Sequence, residues 1–316
     1  MKKAVLSIVL LIGVSLVFSR QAESQKKPPA RVVVPETGMT FVLISPGRFQ
    51  MGSPENEAAR AKDERQHWRT IKEPFYMSET EVTVEQFRRF VKATGYVTDA
   101  ERGAEEGGHY KGAFATVPDG DREWSNNASW QFPFPNMFEL RQRDDHPVVQ
   151  VSWNDAKSFA KHFGYQLPTE AQWEYAARAG ATTAYAWGND ETGGKGFGNM
   201  NDASAAKRFC KWNRSFSWDD GYVFISPVKS FKPNAWGLYD MTSNVAEWVE
   251  DAYVVQYPAD GADESSATGS NAHVIRGGSW LDPPDLYRFA KRFGFAPQGR
   301  RDFVGFRVVM KAPVSK

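Results

Sequence analysis

Short runs of hydrophobic residues, each bounded by turn residues, predict several strands. The run FVLI at 41–44 is followed by a turn signal at Pro46 and Gly47, and Phe49 and Met51 then alternate with polar residues. Short alternating runs of β-branched and aromatic residues between Pro and Gly are typical of strands, so this pattern predicts a β-hairpin. Similar runs predict strands at 223–225, 274–276 and 306–309.

Three other segments have helical periodicity and clear capping signals. They begin at Thr83, Ser152 and Thr169, whose side chains can accept hydrogen bonds from the first helical turn. They end at Gly95, Gly164 and Gly180, since glycine readily adopts the left-handed conformation that closes a helix. The apolar residues inside each segment share one face, so we expect three short helices packed on the core.

The first 24 residues have the features of a secretory signal peptide. Lys2 and Lys3 precede an apolar stretch at 4–18, and Ala22-Glu23-Ser24 is a small-x-small cleavage site. A membrane anchor is the alternative, but the stretch is short for a helix that crosses a bilayer. We therefore expect a periplasmic or secreted protein with no stable membrane span after cleavage. Residues 25–36 are polar and Pro-rich and predict a flexible lead-in, and residues 37–312 predict one domain.

Composition narrows the functional classes. Lys and Arg number 39 against 38 Asp and Glu, with no basic stripe, so nucleic-acid binding is not expected. Cys210 is the single cysteine of the chain, so no internal disulfide can form. It has no neighbouring His, which favours a semi-buried structural thiol over a nucleophile. Residues 97–145 form a long polar segment, and such segments are usually functional or specific to a subfamily.

A series of sequence blocks resembles the formylglycine-generating enzyme (sulfatase-modifying factor) family, in the order that the family has them. The blocks are GRFQMG at 47–52, EVT at 81–83, HPVV at 146–149, VSWNDA at 151–156, LPTEAQWEY at 167–175, NAWGLYDM at 234–241, NVAEW at 244–248, RGGSW at 276–280 and GFR at 305–307. The resemblance implies an α+β fold related to C-type lectins. Such a fold has few short helices, small twisted antiparallel sheets and much ordered loop.

The resemblance also implies two calcium sites. In the first, Asn199 and Asp220 would supply side-chain oxygens while Met200 and Tyr222 supply carbonyls. In the second, Asp240 and Glu247 would supply carboxylates while Ser243 and Val245 supply carbonyls. Oxygen ligands from carboxylates, amides and backbone are those that Ca²⁺ prefers. Without the resemblance, turn caps or solvated charges would be the default interpretation of these acids.

The catalytic cysteine pair of the family is missing. Copper-dependent members bind Cu(I) through two cysteines beyond the Gly-Gly-Ser block, and these positions fall on Asp282 and Tyr287. Because soft thiolates are what select Cu(I), no copper is expected, and oxidation of a sulfatase cysteine by that mechanism should be lost.

Three hypotheses follow for the function. In the first, the chain is an accessory module that binds a peptide, a glycan or an exported protein partner through Ser279, Trp280, Asp282, Tyr287, Arg288 and Arg292. In the second, it is an oxidoreductase with altered chemistry, because relatives implicated in maturing a siderophore chromophore show that the family serves other reactions. The third, residual activity through Cys210, is disfavoured because this residue is far from the matching site. The sequence does not decide whether Trp280 is a ligand contact or a core residue.

Overall fold

In the computed structural model, the described residues form four small sheets and four α-helices. These residues are 29–102, 110–137, 140, 142–209, 214–255, 257 and 271–313. The strands are β1 (Arg31–Val34), β2 (Met39–Ile44), β3 (Gly47–Met51), β4 (His67–Ile71), β5 (Phe75–Ser78), β6 (Ala113–Thr116), β7 (Arg122–Ser125), β8 (Ala246–Ala252), β9 (His273–Arg276), β10 (Arg292–Phe295), β11 (Val304–Phe306) and β12 (Val309–Lys311). The helices are α1 (Val84–Thr94), α2 (Trp153–His162), α3 (Glu170–Arg178) and α4 (Ala203–Arg208), with a 3₁₀ helix at Pro284–Tyr287.

Two four-stranded sheets organise the chain. The first has the order β1-β2-β5-β12 and is antiparallel throughout. The second has the order β10-β9-β8-β11, in which β8 and β11 run parallel and the other pairs are antiparallel. The hairpins β3–β4 and β6–β7 are separate two-stranded sheets. The expected α+β class with few helices, small sheets and long connections is confirmed.

The three predicted helices are present with the predicted N-terminal caps, whereas of the predicted glycine ends only Gly95 caps its helix and α2 and α3 end at Phe163 and Ala179. Thr83, Ser152 and Thr169 all accept a hydrogen bond from the backbone three residues on, in reciprocal capping boxes. Their apolar faces are buried; Phe87 of α1 lies 6.0 Å from Phe159 of α2 between ring centroids. The sequence was sufficient to predict these helices because the capping residues and the apolar periodicity both lie within or directly beside the helix that they define.

Three strand predictions and the prediction of a flexible lead-in need correction. The runs at 41–44 and 49–51 are strands but do not form a hairpin, because β2 pairs with β1 and β5 while β3 pairs with β4. Residues 223–225 form no strand. The run at 306–309 is divided between β11 and β12, which belong to different sheets. Residues 31–34, expected in a flexible lead-in, form the edge strand β1.

Some predictions concern residues that the structure does not describe. The signal segment at 1–24, residues 25–28 and Cys210 lie outside the described ranges. Within the described ranges, no helix has both the length and the apolar character needed to cross a membrane.

A chain of buried ion pairs connects α3 to the second sheet. Glu174 on α3 pairs with Arg178 and with Arg276 of β9, and Arg276 lies 3.4 Å from Glu170. Glu170 in turn accepts two hydrogen bonds from Arg292 of β10, at 2.7 and 2.8 Å. Because breaking a buried pair leaves an uncompensated charge, these contacts fix the orientation of β9 and of the turn that follows it.

Candidate functional site

The turn after β9 brings the residues at the two cysteine positions of the family next to the core. Gly277 and Gly278 have left-handed backbone angles, with φ of 102° and 67°, which favour glycine. A side chain at Gly277 would also lie 3.0 Å from the carbonyl oxygen of Met241. The two glycines therefore allow the turn to pass close to the Met241 loop before it reaches Asp282 and Tyr287.

Tyr287 is a structural residue. Its side chain is fully buried, and its hydroxyl donates to the carbonyls of Ser279 and Asp282, each at 2.8 Å. The same hydroxyl accepts a hydrogen bond from the backbone N–H of Asn201 at 2.8 Å. Burial raises the pKa of Tyr287 well above its ordinary value. The phenol is thus neutral, fully hydrogen-bonded and committed to holding the turn together.

Asp282 has a different environment. It is only half-buried and lies at the base of a groove, where the Ser279 hydroxyl donates to its carboxylate at 2.7 Å. Burial raises the pKa of Asp282 to about 6, although Ser279 and the positive charge of Arg122 act in the opposite direction. A carboxyl with this pKa can bind a cationic group or exchange a proton near neutral pH.

The groove above Asp282 is open and has a volume of about 910 Å³. Its lining residues are Gly120, Asp121, Arg122, Glu123, Asn201, Arg214, Leu281, Asp282, Pro283 and Leu286. One wall is the β6–β7 hairpin, which belongs to the polar segment 97–145. Asp302 fixes this hairpin by accepting the Thr116 N–H at 2.5 Å, and Arg300 donates to the Gly112 carbonyl at 2.8 Å. The segment therefore helps to build the groove.

Three of the predicted ligand contacts are core residues. Trp280 is fully buried, and its indole N–H donates to the Asp302 carbonyl at 3.3 Å. Arg288 is 1% exposed and pairs with Glu64 at 2.6 Å, while Arg292, also 1% exposed, pairs with Glu170. The prediction that these three side chains contact a ligand is therefore corrected. The local sequence shows that Arg288 and Arg292 are charged, but it does not show that Glu64 and Glu170 from distant segments pair with them. Ser279 is also buried, so of the six predicted contacts only Asp282 lines the groove.

The first predicted calcium loop contains an amide oxygen with no partner. The Asn199 amide donates to the Phe224 carbonyl at 2.6 Å and to Asn244 at 3.0 Å, which leaves its buried Oδ1 without a hydrogen bond among the described residues. Asp220 accepts the backbone N–H groups of Met200 and Tyr222, at 2.8 and 2.9 Å. Burial raises the pKa of Asp220 to about 7. The side chains thus suit a cation that would supply the missing partner.

An acidic cluster adjoins this loop. Asp202, Asp219 and Asp220 have carboxylate oxygens within 4.8 Å of one another. Within the described part of the chain, this is the one group of three or more His, Cys, Asp or Glu residues with that spacing. Asp202 caps α4 by accepting the N–H groups of Ser204 and Ala205, at 2.9 and 3.2 Å. One member of the cluster therefore already has a structural role.

The second predicted calcium loop is more deeply buried. Asp240 is 4% exposed; its Oδ2 accepts the Lys229 N–H at 3.0 Å, and its Oδ1 has no partner among the described residues. Burial raises the pKa of Asp240 to about 6. Both oxygens of Glu247 accept hydrogen bonds from Arg307, at 2.7 to 2.9 Å. The Trp173 indole also donates to Glu247, at 2.8 Å.

The two loops touch each other. The Asn244 N–H donates to the Asn199 carbonyl at 2.9 Å, and a Cβ at Gly198 would lie 2.0 Å from Ser243 Oγ. Glycine at 198 is therefore required for this approach. Ser243 and Val245 are buried in the second loop, and Met200 is buried in the first. Seven of the eight predicted cation ligands thus lie in these two adjoining loops, and Glu247 lies at the start of β8.

Sequence reasoning missed several residues of these sites. Asn201 and Arg122 line the groove, and Glu81 is a buried acid beside the second loop with an unpartnered Oε2. Burial, followed by the nearby Asp240 carboxylate, raises the pKa of Glu81 well above its usual range. Its neighbours in the segment SETEVT at 78–83 are mostly polar and gave no sign of this burial, which only the tertiary structure shows.

Comparisons with known proteins agree with the resemblance. The sulfatase-modifying factor enzyme 1-like domain family matches residues 26–312. The formylglycine-generating enzyme of Streptomyces coelicolor is 36% identical over 94% of this chain and 96% of its own length. The inactive C-alpha-formylglycine-generating enzyme 2 of Bos taurus is 32% identical over 85% of this chain and 87% of its own length. The structure of PvdO from Pseudomonas aeruginosa is similar with a TM-score of 0.69 and 29% identity, over 91% of this chain and 100% of that one.

Proposed function

The chain belongs to the sulfatase-modifying factor (formylglycine-generating enzyme) family, and from this premise we propose that it is an exported, calcium-stabilised binding protein that does not oxidise sulfatase cysteines. Its ligand would be a peptide segment of an exported partner, held in the groove above Asp282. Three separate lines of support concern the cysteine positions, the cation loops and the groove.

The observation that carries the proposal is the environment of the two cysteine positions. A Cu(I) centre needs soft ligands, and a carboxylate and a phenol are hard ones. The Tyr287 hydroxyl is also held by three backbone partners, since its proton is shared by two carbonyls and one lone pair accepts the Asn201 N–H, which fixes it as a neutral structural group. Oxidation of a thiol by a copper centre at this position therefore lacks its ligands.

Calcium fits the two cation loops. The unpartnered buried oxygens of Asn199 and Asp240 are hard donors, and an unsatisfied buried oxygen of this kind is costly unless an ion or a proton satisfies it. A bound Ca²⁺ would hold the two loops together and stabilise the turn that they contact. If Glu247 bound the ion, its oxygens would have to contact both the ion and Arg307. Asn199 and Asp240 each have one side-chain oxygen without a hydrogen bond among the described residues.

The groove favours a peptide over a neutral glycan. Its lining contains cationic Arg122 and Arg214 as well as acidic Asp121, Glu123 and Asp282, so it presents both signs of charge within one cleft. A peptide supplies side chains of both signs and a polar backbone that complement such a lining, whereas a neutral sugar supplies no charge to complement it. The apolar floor at Leu281, Pro283 and Leu286 can contact aliphatic side chains.

An oxidoreductase with altered chemistry is the second candidate. The observation in its favour is the pKa of Asp282, about 6, in an open groove at a cysteine position of the family. Such a carboxylate could remove a proton from a substrate.

The proposal is tested with a sulfatase-motif peptide and the purified mature protein. We expect no conversion of the peptide cysteine to formylglycine, with or without added copper, when the product is analysed by mass spectrometry. The Streptomyces coelicolor relative serves as the positive control. Formation of the aldehyde by this chain would overturn the interpretation of Asp282 and Tyr287.

Elemental analysis of the same preparation separates the two candidates. Calcium without a stoichiometric redox metal supports the binding protein, and stoichiometric copper or iron supports the oxidoreductase. For the groove, binding of a labelled peptide library is compared between Arg122→Glu and Arg88→Glu, an exposed Arg on α1 outside the groove. Loss of binding in the first variant alone is expected; equal binding by wild type and both variants would contradict a peptide site here.

A further inference from the structure

Exposed aromatic side chains are concentrated in the polar segment 97–145. Of the eight large apolar side chains that are exposed in the described part of the chain, four belong to this segment, and three of these are aromatic. Tyr110 is 77% exposed, Phe132 65% and Trp124 39%. Single exposed apolar residues are ordinary, but several on one short segment are typical of a binding surface.

Two of these rings are held in place beside each other. The Trp124 indole N–H is shared between the Lys111 carbonyl at 3.1 Å and Asn126 Oδ1 at 3.0 Å. The Tyr110 ring meets the Trp124 ring edge to face, with 6.5 Å between centroids. Arg300 donates to the Tyr110 carbonyl at 2.7 Å, which fixes the backbone below this ring. The two rings therefore form a preorganised surface.

A cleft of about 710 Å³ adjoins the two rings. Lys111 and Asn126, the partners of the Trp124 indole, line this cleft, and so does Phe132. The position of Phe132 is set by a tight turn, in which it exchanges backbone hydrogen bonds with Ser129 at 3.0 and 3.2 Å. The buried apolar residues of the lining are Ala100, Ala128, Phe134 and Met137. A concave site with this volume and an apolar base has the dimensions of a ligand pocket.

The lining of this cleft carries little charge. Among its fourteen lining residues only Glu101 and Lys111 are charged, and their signs are opposite. Glu101 is engaged locally, since its Oε2 accepts the Thr98 N–H at 3.0 Å and the Thr98 hydroxyl at 2.7 Å. The groove above Asp282 has five charged residues among ten, and it shares no lining residue with the cleft. Electrostatic complementarity therefore favours a neutral ligand here.

Amide side chains form the polar edge of the cleft. They are those of Asn126, Asn127, Gln131 and Gln142. Gln142 Nε2 donates to the Pro147 carbonyl at 2.6 Å, and its buried Oε1 has no partner among the described residues. Asn126 Oδ1 accepts from Trp124, so its NH₂ group remains as a donor. Because each amide can both donate and accept, the edge suits neutral polar groups of both kinds.

We propose that this cleft binds a neutral oligosaccharide of N-acetylated amino sugars. The weakly positive C–H face of a pyranose ring packs on the negative face of an aromatic ring, and Tyr110, Trp124 and Phe132 supply exposed rings. The acetamido group has one donor and one acceptor for the amide edge, and its methyl group suits the apolar base. The site is separate from the groove of the proposed function and does not depend on it.

The test is isothermal calorimetry of the purified mature protein with two neutral hexasaccharides. One is β-1,4-linked N-acetylglucosamine, and the other is β-1,4-linked glucose, which lacks the acetamido groups. We expect the first to bind and the second to bind at least about tenfold more weakly. Phe132→Ala and Trp124→Ala should each lower the affinity for the first about tenfold or more, because truncation of a central aromatic contact commonly has an effect of this size.

Trp68→Ala is the matched control. Trp68 is 45% exposed, close to the exposure of Trp124, but it lies on β4 outside the cleft, so this variant should retain wild-type affinity. Phe132→Ala covers the case in which Trp124→Ala does not fold, since a side chain that is 65% exposed contributes little to the core.

Three results would overturn the assignment. The first is that neither saccharide binds the wild-type protein, and the second is that a folded Phe132→Ala variant retains wild-type affinity. The third is that the two saccharides bind equally, which would exclude recognition of the acetamido group. If Phe132→Ala loses binding of a labelled peptide library and no saccharide binds, the cleft is a peptide site and the proposal is wrong.

Discussion

At the scale of single residues, chemistry in this protein depends on which buried polar atoms have partners. Tyr287 and Asp282 lie five residues apart in one short segment, but their environments differ. The phenol has three backbone partners, whereas the carboxylate lines a groove. Glu247 and Asp240 differ in a similar way. Both oxygens of Glu247 bond to Arg307, while one oxygen of Asp240 bonds to a backbone amide and the other has no partner among the described residues.

The two acids of the second calcium loop should respond differently to mutation. Glu247→Ala leaves the Arg307 guanidinium buried without its counter-charge, so the free energy of unfolding should fall by about 3–5 kcal/mol even in chelator. Asp240→Ala should instead remove the part of the calcium-dependent increase in melting temperature that the second site contributes, and cost little in chelator. Urea denaturation with and without calcium measures both. Equal losses for the two variants in chelator would contradict the distinction.

At the scale of elements, the start of α2 concentrates buried acids. Asp155 accepts the N–H groups of Ser152 and Asp99, at 2.9 and 3.0 Å, and the Tyr96 hydroxyl at 3.0 Å. Burial, and then the neighbouring Asp99 carboxylate, raise the pKa of Asp155 to about 6 from an ordinary value of 3.8. The capping box that begins the helix is therefore also a site where stability depends on pH.

The sign of this dependence follows from proton linkage. Because the folded state binds the Asp155 proton more tightly than the unfolded state, its stabilising contribution is complete below about pH 4 and is lost as the pH rises through about 6. We expect the free energy of unfolding of wild type to fall between about pH 4 and 7 by about 3 kcal/mol more than that of Asp155→Asn. The variant is less stable overall, since an amide cannot accept all three donors.

Urea titrations of chelator-treated wild type and Asp155→Asn at several pH values measure the difference in slope. Asp144→Asn, at an exposed acid that pairs with Arg88, is the control and should retain the wild-type slope. Parallel pH profiles for wild type and Asp155→Asn would show that this carboxyl titrates alike in the folded and unfolded states.

At the scale of the whole molecule, stability must come from packing and buried ion pairs, to which the proposed cations would add, because one cysteine cannot form an internal disulfide. Much of the described chain is loop, and the two cation loops contact each other through Asn199 and Asn244. They also contact the turn that carries Asp282, since the Asn244 carbonyl accepts the Trp280 N–H at 2.9 Å. A cation bound there would therefore influence the groove as well as the fold.

Removal of calcium should consequently destabilise the domain as one unit. At calcium about 100-fold above the dissociation constant, each site adds about 2.7 kcal/mol, so chelator should lower a single cooperative melting transition. Added Ca²⁺ should restore it, and Mg²⁺ should do so poorly because it requires smaller, octahedral sites. Scanning calorimetry measures the effect. An identical melting temperature in chelator and in calcium would contradict a stabilising role.

The sequence alone was sufficient for the family, the fold class and the three capped helices. Blocks such as LPTEAQWEY and RGGSW contain their information locally, and Thr83 and Gln86 form a box within one helical turn. The positions where the family has its two cysteines could also be found from the sequence, because they directly follow the block RGGSW. Strand pairing was not determined in this way: β2 and β3 are neighbours in the chain, but they pair in different sheets.

Only the tertiary structure decided which charged residues are available to a ligand or an ion. Arg288 and Arg292 are opposite Glu64 and Glu170, which lie more than 100 residues away in the chain. Glu81, between β5 and α1, accepts a hydrogen bond from Asn244 in the second loop. Burial and charge compensation depend on such distant contacts, whereas helix caps depend on near neighbours. The sequence therefore determined what kind of protein this is, and the fold determined which of its acids and bases are free to act.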